Sequence, residues 1–257
     1  MYILSLPYTG IRMKLPNILY NPVFIIIALL LLVGFSSFGG YFIYRTTYYV
    51  NYLDNCPKDN SNTFCYIKVF DLPLPKEFVA PLLLISKEEG KRIEIIKKRQ
   101  KAIPLAKINE RFPEVIEWYK HLPVEISKVV GTQVLITPIS QPNSLSLVVY
   151  EKEGDFIDWH FDTNHYNGRF FTLLVPVSTE ATCGNYQYKD ANQDIQTIEL
   201  NTGQAILFEG DKVFHRGKEL CKNQRRVVLS LTFVTSQDIP PYETALNVVK
   251  NWGIFGQ

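Results

Sequence analysis

Two short segments of this chain carry metal-ligating side chains at spacings a β-strand would bring together. In Trp159-His160-Phe161-Asp162 an imidazole and a carboxylate stand two residues apart. Residues i and i+2 of a strand share a face, so His160 and Asp162 would converge on one point. His215 ends a later hairpin-like stretch, Ile206 to His215. Two imidazoles and one carboxylate on the interior of a barrel make a facial triad for non-haem iron, with positions left open for substrate and oxygen. The other two histidines read differently. His165, in a polar Asn- and Gly-containing segment, is expected in a turn near the mouth of such a site. His121 is expected as a favourable cation at a helix end. Asp158 shares a face with His160 and Asp162 by parity, and Trp159 and Phe161 should be core on the opposite face.

A cation completes the constellation. Arg225 and Arg226 open an apolar run that ends at Val234. Alternation puts Arg226, Val228, Ser230 and Thr232 on one face, and Arg225, Val227, Leu229, Leu231 and Phe233 on the other. The second face is apolar enough to pack on helices. The first would line a polar pocket with a guanidinium at its mouth, where it can hold a carboxylate by a bidentate pair. A bulge would exchange Arg225 for Arg226.

The elements that must position these groups are mostly strands. From about Gly131 onward, β-rich runs alternate with turn residues: 133–139, 145–150, 156–162, 169–177, 195–200, 204–208, 212–215 and 225–234. Strands at such spacing predict a sandwich or barrel, not a parallel α/β sheet. Before them, residues 86–101 read as a helix with Ser86 as cap, Glu88 and Glu89 in the first turn, a basic end, and Ile93, Ile95 and Ile96 turned inward. A second helix is expected over Phe112 to His121, and Pro241 to Gly253 reads as a closing helix.

The N-terminal part has a different character. No Asp, Glu, Lys or Arg occurs between Lys14 and Arg45. Residues 23–44 are long enough, at about 1.5 Å each, to cross a bilayer core of about 30 Å as a helix. Tyr20, Tyr41 and Tyr44 stand where interfacial aromatics would stand. The expected organisation is a tail over 1–22, a transmembrane anchor over 23–44, a stem over 45–75 and a domain over 76–257 with its β-rich core, a sandwich or barrel that the resemblance given below makes a jelly roll, at about 131–235. A cleaved signal peptide is the alternative, kept open by Ser36, Ser37, Gly39 and Gly40. Arg12 and Lys14 before the span balance Arg45 and Lys58 after it, while Asp54 and Asp59 follow it. This favours a cytoplasmic N-terminus and a lumenal or extracytoplasmic domain. Cys56, Cys65, Cys183 and Cys221 all follow the span. Disulfides Cys56–Cys65 and Cys183–Cys221 are the expected pairing of the three possible, with four buried thiols as the alternative. A formal net charge of +2, from 27 basic and 25 acidic residues, excludes a strongly basic nucleic-acid binder.

From Leu145 to Phe233 the chain resembles the iron(II)/2-oxoglutarate dioxygenases, in particular their prolyl 4-hydroxylase-like branch. Tyr150, Gly154, Phe156, His160 and Asp162 match the family's Tyr…Gly-x-Tyr/Phe…His-x-Asp pattern. Residues 168–178 are similar to an Arg-x-x-Thr strand, residues 201–217 to a Gly…Phe…His segment, and residues 225–233 to the strand that bears the basic 2-oxoglutarate anchor. Two departures stand out. Val175-Pro176 occupies a place where some relatives carry Tyr, and Cys183-Gly184-Asn185-Tyr186 replaces a Gly-Gly-x-Thr turn.

The resemblance implies a mainly β protein with flanking helices and a double-stranded β-helix core. It implies that His160, Asp162 and His215 hold Fe(II), that Arg226 pairs with the distal carboxylate of 2-oxoglutarate, and that Tyr150 and Thr172 are further contacts to that cosubstrate. It gives Asp158 no ligand role. The implied reaction consumes O2 and 2-oxoglutarate, releases succinate and CO2, and hydroxylates a peptide or protein side chain, with proline the leading target and ascorbate a candidate reductant. Lysine, Asp/Asn or a small molecule is the alternative substrate within the superfamily. A non-catalytic membrane-anchored barrel is an alternative outside catalysis. A zinc or manganese cupin without 2-oxoglutarate is another, and it would need no clamp like Arg226.

Overall fold

The computed structural model describes residues 64–178 and 181–240, together with 29, 32–34 and 36. The chain divides into two compact units, Met1–Tyr48 and Tyr49–Gln257. The expected 23–44 span lies almost wholly outside the described residues. So do Cys56 and the expected closing helix. Leu29, Leu32 and Val33 are helical and exposed. Among the described residues no helix is long and apolar enough to cross a membrane.

The second unit is built on one curled, antiparallel sheet. Its strands, among the described residues, are β1 (Ile67–Asp71), β2 (Lys91–Ile95), β3 (Lys98–Pro104), β4 (Leu135–Ile136), β5 (Leu145–Tyr150), β6 (Phe156–His160), β7 (Phe170–Ser178), β8 (Tyr186–Lys189), β9 (Ile195–Ile198), β10 (Gln204–Glu209), β11 (His215–Gly217) and β12 (Arg226–Val234). The hydrogen-bonded order is β1-β10-β7-β12-β5-β3-β6-β11-β8-β9, with β2 on β3 and β4 on β12. This is a jelly-roll arrangement, in which folding the sheet over itself encloses its inner face. Each run expected as a strand holds one except 212–215, where residues 212–214 lie in the turn before the strand and only His215 belongs to β11; β8 is an addition. β1 falls inside the segment expected as a stem. It pairs with β10 from Ile67↔Phe208 to Asp71↔Gln204, so the sheet reaches well before residue 76.

The outer face of the larger half is covered by four helices: α1 (Lys76–Glu88), α2 (Leu105–Arg111), α3 (Glu114–His121) and α4 (Pro123–Val130). In α1, Phe78, Leu82 and Ile85 fall at i, i+4 and i+7 and are buried. α3 matches the helix expected up to His121, its start delayed to the residue after Pro113. α4 stops at Gly131, which takes the left-handed conformation of a C-cap. Ile108, Val115, Tyr119 and Ile126 pack with Val227, Leu229, Leu231 and Phe233, the apolar face read from alternation on β12. Fully burying each such aliphatic or aromatic side chain stabilises by about 1.5–3 kcal/mol.

The helix expected over 86–101 does not form. The observed helix ends at Glu88, and residues 91–104 fold as the β2–β3 hairpin, with register from Lys91↔Ala102 to Ile95↔Lys98. Gly90 starts the change: it has φ +107°, and a Cβ there would meet Ile103 Cγ1 at 2.6 Å. Beyond it, isoleucines on a pleated pair favour the strand, and β5 and β6 supply hydrogen-bond partners for β3 that no local pattern reveals. Ile96, expected inward, is 96% exposed at the hairpin tip, and Ile95 is exposed beside it. Ser86 is no N-cap. Its hydroxyl donates to Leu83 O and accepts from Arg225 Nη2 at 2.6 Å.

One buried ion pair ties this hairpin to the turn that aims β6. Asp155 is 1% exposed. It accepts from Arg92 Nη2 at 2.5 Å and Nη1 at 3.1 Å, and from the backbone N–H of Glu151 and Lys152 at 2.9 and 3.0 Å. Burial would raise the Asp155 carboxyl. The Arg92 guanidinium and the two backbone donors outweigh this and hold it below the usual carboxylate range. A carboxyl depressed in the folded state contributes stability above its unfolded pKa of about 3.9, and that contribution is lost as pH falls through the folded value. Asp155→Asn should destabilise by about 1–3 kcal/mol, because it weakens the bonds from Arg92 and two backbone N–H groups to a buried acceptor, while Arg92 keeps Glu94 at 2.6 Å. Urea unfolding at pH 7 would measure the loss. The gap between the two proteins should narrow below about pH 4.

Candidate active site

β6 and β11 lie side by side with His160 directly opposite His215. Their ring centroids are 4.2 Å apart. Asp162 sits just past the end of β6, with its N–H donating to Gly210 O at 2.8 Å. Asp162 Oδ1 lies 3.5 Å from His160 Nε2 and 3.9 Å from His215 Nε2. One ligand atom from each of the three residues falls within 4.8 Å of the others. The structure therefore brings together the three side chains singled out by type and spacing.

Each ligand is oriented by a partner behind it. His160 Nδ1–H donates to Asp158 O at 2.7 Å and His215 Nδ1–H to Val213 O at 2.8 Å. Both Nε2 atoms are thus left as lone-pair donors toward the centre. Burial and the neighbouring His160 push the His215 imidazole down to about 4, so it is neutral at pH 7. Burial alone would raise the Asp162 carboxyl, but the two imidazoles and the Thr172 hydroxyl hold it well below the usual range. Thr172 Oγ1 donates to Asp162 Oδ2 at 2.7 Å. Removing such an outer partner costs about 10–100-fold in metal affinity. Thr172→Val, nearly isosteric, is expected to weaken Co(II) binding by that factor with the fold intact, as read by spectrophotometric titration.

The turn beneath the triad has its own support. A Cβ on Gly210 would run into the Asp162 carboxylate, so this position has room only for glycine. Buried Glu209 is held by Arg169, whose Nε donates to it at 2.6 Å, and by Lys212 Nζ at 2.7 Å. Val213 N–H returns to Glu209 O at 3.0 Å, which places the carbonyl that orients His215.

The triad opens into a cavity of about 250 Å³. Arg226, Val228, Ser230 and Thr232 all line it, so parity on β12 selects Arg226 over Arg225. Arg225 points to the helix side, toward Ser86 and Glu151. Arg226 lies over the Tyr150 ring, its guanidinium carbon 4.0 Å from the centroid. No carboxylate is paired with it among the described residues. Burial pushes its pKa down, an effect the Tyr150 hydroxyl partly offsets. Three buried polar atoms of cavity-lining residues lack a partner: Arg226 Nε, Tyr186 OH and Gln100 Oε1. Buried polar groups are nearly always hydrogen-bonded, so three orphans in one cavity fit a polar, anionic ligand. Two imidazole nitrogens and a carboxylate oxygen suit a divalent iron, and an unpaired guanidinium suits the distal carboxylate of 2-oxoglutarate.

His165 is buried in the 161–169 loop and does not join the triad; His121 is the last residue of α3. Trp159 and Phe161 are not core. Both are half-buried against Phe214, and Lys189 and Arg216 lie over the Trp159 ring. This is the outer face of the smaller half of the sheet. Cys183 and Cys221 form a disulfide with 5.9 Å between Cα atoms, joining the loops before β8 and β12 at the cavity. Cys65 is disulfide-bonded as well, with its expected partner Cys56 outside the described residues. Lys98 and Gln100 line the cavity unforeseen, because the segment that carries them was expected as a helix. The signal available was the alternation Lys98, Gln100, Ala102.

No family model matches the sequence, and no curated protein matches it. Solved structures do match. The epimerase SnoN of nogalamycin biosynthesis, in complex with Fe3+, alpha-ketoglutarate and nogalamycin RO, superposes with a TM-score of 0.56 at 12% identity, covering 71% of this chain and 84% of SnoN. A 2OG-Fe(II) oxygenase family oxidoreductase from Burkholderia pseudomallei superposes with a TM-score of 0.54 at 10% identity, covering 73% and 90%. AviO1 from Streptomyces viridochromogenes Tue57 gives 0.52 at 12% identity, covering 68% and 92%. At such identities the likeness is one of architecture, and the chain has the jelly-roll fold found in 2-oxoglutarate/Fe(II) oxygenases.

Proposed function

We propose that this chain is a membrane-anchored Fe(II)- and 2-oxoglutarate-dependent dioxygenase of the prolyl 4-hydroxylase-like branch, and that it hydroxylates a peptidyl side chain, with proline the leading target. The observation that carries this reading is one cavity holding both the His160–Asp162–His215 cluster and a half-buried Arg226 with no carboxylate partner among the described residues. A barrel without catalytic use has little reason to hold a guanidinium beside such a cluster with no carboxylate to pair it.

In this reading His160 Nε2, Asp162 and His215 Nε2 hold Fe(II). The bound metal and 2-oxoglutarate supply the oxidising chemistry, releasing succinate and CO2 as O2 is consumed. The chain binds, aims and excludes water. Arg226 clamps the distal carboxylate of the cosubstrate, with Tyr150 supporting the guanidinium through its ring. Thr172 and the backbone carbonyls of Asp158 and Val213 keep the ligands pointed inward. Apolar walls such as Ile157, Leu174 and Phe208 keep the reacting end of the substrate dry. Ascorbate would serve as reductant for metal left oxidised.

The anchor rests on the uncharged 23–44 run and the exposed apolar side chains of Leu29, Leu32 and Val33. The Cys183–Cys221 disulfide favours a domain on the oxidising side of the membrane. Retention in the membrane pellet after alkaline carbonate washing tests the anchor, and protease protection of the domain tests its side.

Anaerobic titration of the full chain with Fe(II) and 2-oxoglutarate tests the enzymatic reading. A visible metal-to-ligand charge-transfer band that appears only with both is the expected result. A folded protein with no band overturns it and leaves a non-catalytic barrel.

A further inference from the structure

β3 contributes two polar side chains that neither the triad nor the Arg226 clamp uses. Lys98, Gln100 and Ala102 line the cavity. The alternate residues turn away: Arg99 lies over the Phe156 ring, and Lys101 pairs with Glu151 at 3.3 Å. The Lys98 ammonium has no hydrogen-bond or ion-pair partner among the described residues, and Gln100, 3% exposed, has an unpartnered Oε1. Lys98 stands opposite Ile157 on β6, the strand that ends in His160, so this pair flanks the triad.

Charge says what kind of molecule belongs there. Among the described cavity-lining residues the fixed charges are Lys98, Arg226 and Asp162. Fe(II) with Asp162 leaves one positive charge, and Arg226 and Lys98 add two more. Dianionic 2-oxoglutarate cancels two of these. One positive charge remains in a half-buried site, where an anion would gain from pairing with it.

We propose that Lys98 and Gln100 form the substrate subsite and that the substrate is an acid, its carboxylate seated on Lys98 and an adjacent N–H or O–H donated to Gln100. This deepens, and rests on, the oxygenase reading above. Same-face residues of a strand are about 6.6 Å apart, so the carboxylate and the donor belong to neighbouring groups of one molecule. A free C-terminal carboxylate with the amide N–H of its own residue has this form. A cavity of about 250 Å³ lies below the usual range for ligand sites, about 300–1,000 Å³. It admits the cosubstrate and the reacting end of a substrate. The target proline is then next to the end of a short peptide.

The test uses the full chain, loaded anaerobically with Fe(II) and 2-oxoglutarate and also metal-free, titrated calorimetrically with acetyl-Pro-Gly and with its C-terminal amide. The loaded wild-type protein is expected to bind the acid about tenfold or more tighter than the amide. Lys98→Met should erase that preference, Lys98→Arg should keep most of it, and Lys101→Met, on the outer face, should not change it. The charge-transfer band of Lys98→Met should appear at the same 2-oxoglutarate concentration as in wild type. Equal binding of acid and amide, binding of neither, or a preference that survives in Lys98→Met overturns the proposal. A Lys98→Met protein that needs far more 2-oxoglutarate for its band also overturns it, because Lys98 would then serve the cosubstrate. Absence of the band in wild type instead removes the oxygenase reading itself.

Discussion

His160→Ala and His215→Ala should each abolish 2-oxoglutarate turnover while leaving the protein folded. The two rings face each other across the β6–β11 pair, and each directs Nε2 to the same point as Asp162 Oδ1. Losing an outer partner of a ligand already costs about 10–100-fold in metal affinity, so loss of the ligand itself should exceed that range. Turnover is read as succinate release and metal binding as the anaerobic charge-transfer band; both should fail together. Folding should survive for a different reason in each case. His160 is partly exposed at the end of its strand, and removing it opens the cavity to water. His215 is buried between Tyr186 and Phe208, so His215→Ala leaves a hole and should lower Tm. His215→Gln is the paired control, since it fills more of the space. Full activity in both alanine variants would reject the metal assignment.

Arg226→Met should weaken 2-oxoglutarate binding by about 10²-fold or more. Truncating one side of a buried, charge-assisted pair costs about 2–5 kcal/mol, and each 1.4 kcal/mol is a factor of ten. The guanidinium carbon lies 4.0 Å from the Tyr150 ring centroid and the group carries an unpartnered Nε, which a two-point carboxylate acceptor would satisfy. Arg226→Lys should recover only part of the affinity, because an ammonium is a point charge that cannot make the fork. Arg225→Met separates charge from position. It faces Ser86 and Glu151 outside the cavity, so it should leave cosubstrate affinity within about threefold of wild type. Without iron, Arg226→Met should be at least as stable as wild type, since it removes a cation that burial disfavours. Urea unfolding of the metal-free proteins checks this. A large loss of stability would mean that Arg226 is a structural residue.

The triad and the clamp were legible from residue type and a period of two. His160 and Asp162 are neighbours in sequence, and the face of β12 that bears Arg226 is set by alternation over nine residues. Such patterns are local, and burial on both sides of a strand enforces them, because a slip by one would put Leu229 and Leu231 into the polar cavity. Grouping His215 with His160 followed from residue type, but the strand pairing that sets one opposite the other has no local signal. A sheet register joining segments far apart in sequence brings it about.

The region before Gly131 read poorly, and for a physical reason. Lysine, arginine, glutamate and isoleucine suit an amphipathic helix when residues 86–101 are scored alone. The strand wins because β3 gains hydrogen-bond partners on both sides, from β2 and β5, and Gly90 breaks the helix at a point where another residue would strike Ile103. Trp159 and Phe161 erred in the opposite sense: aromatics opposite a polar face suggest a core, but no described element covers that side of the smaller half-sheet.

The sequence by itself determined which side chains are candidate iron ligands, that one of Arg225 and Arg226 opens the strand facing them, and which faces must be dry, since these follow from residue chemistry and strand period. Only the tertiary structure decided that β3 lines the same cavity, that Gly210 leaves room for the Asp162 carboxylate, and that Lys98 and Gln100 stand there without partners. Those facts depend on contacts between segments far apart along the chain, and no local period encodes them.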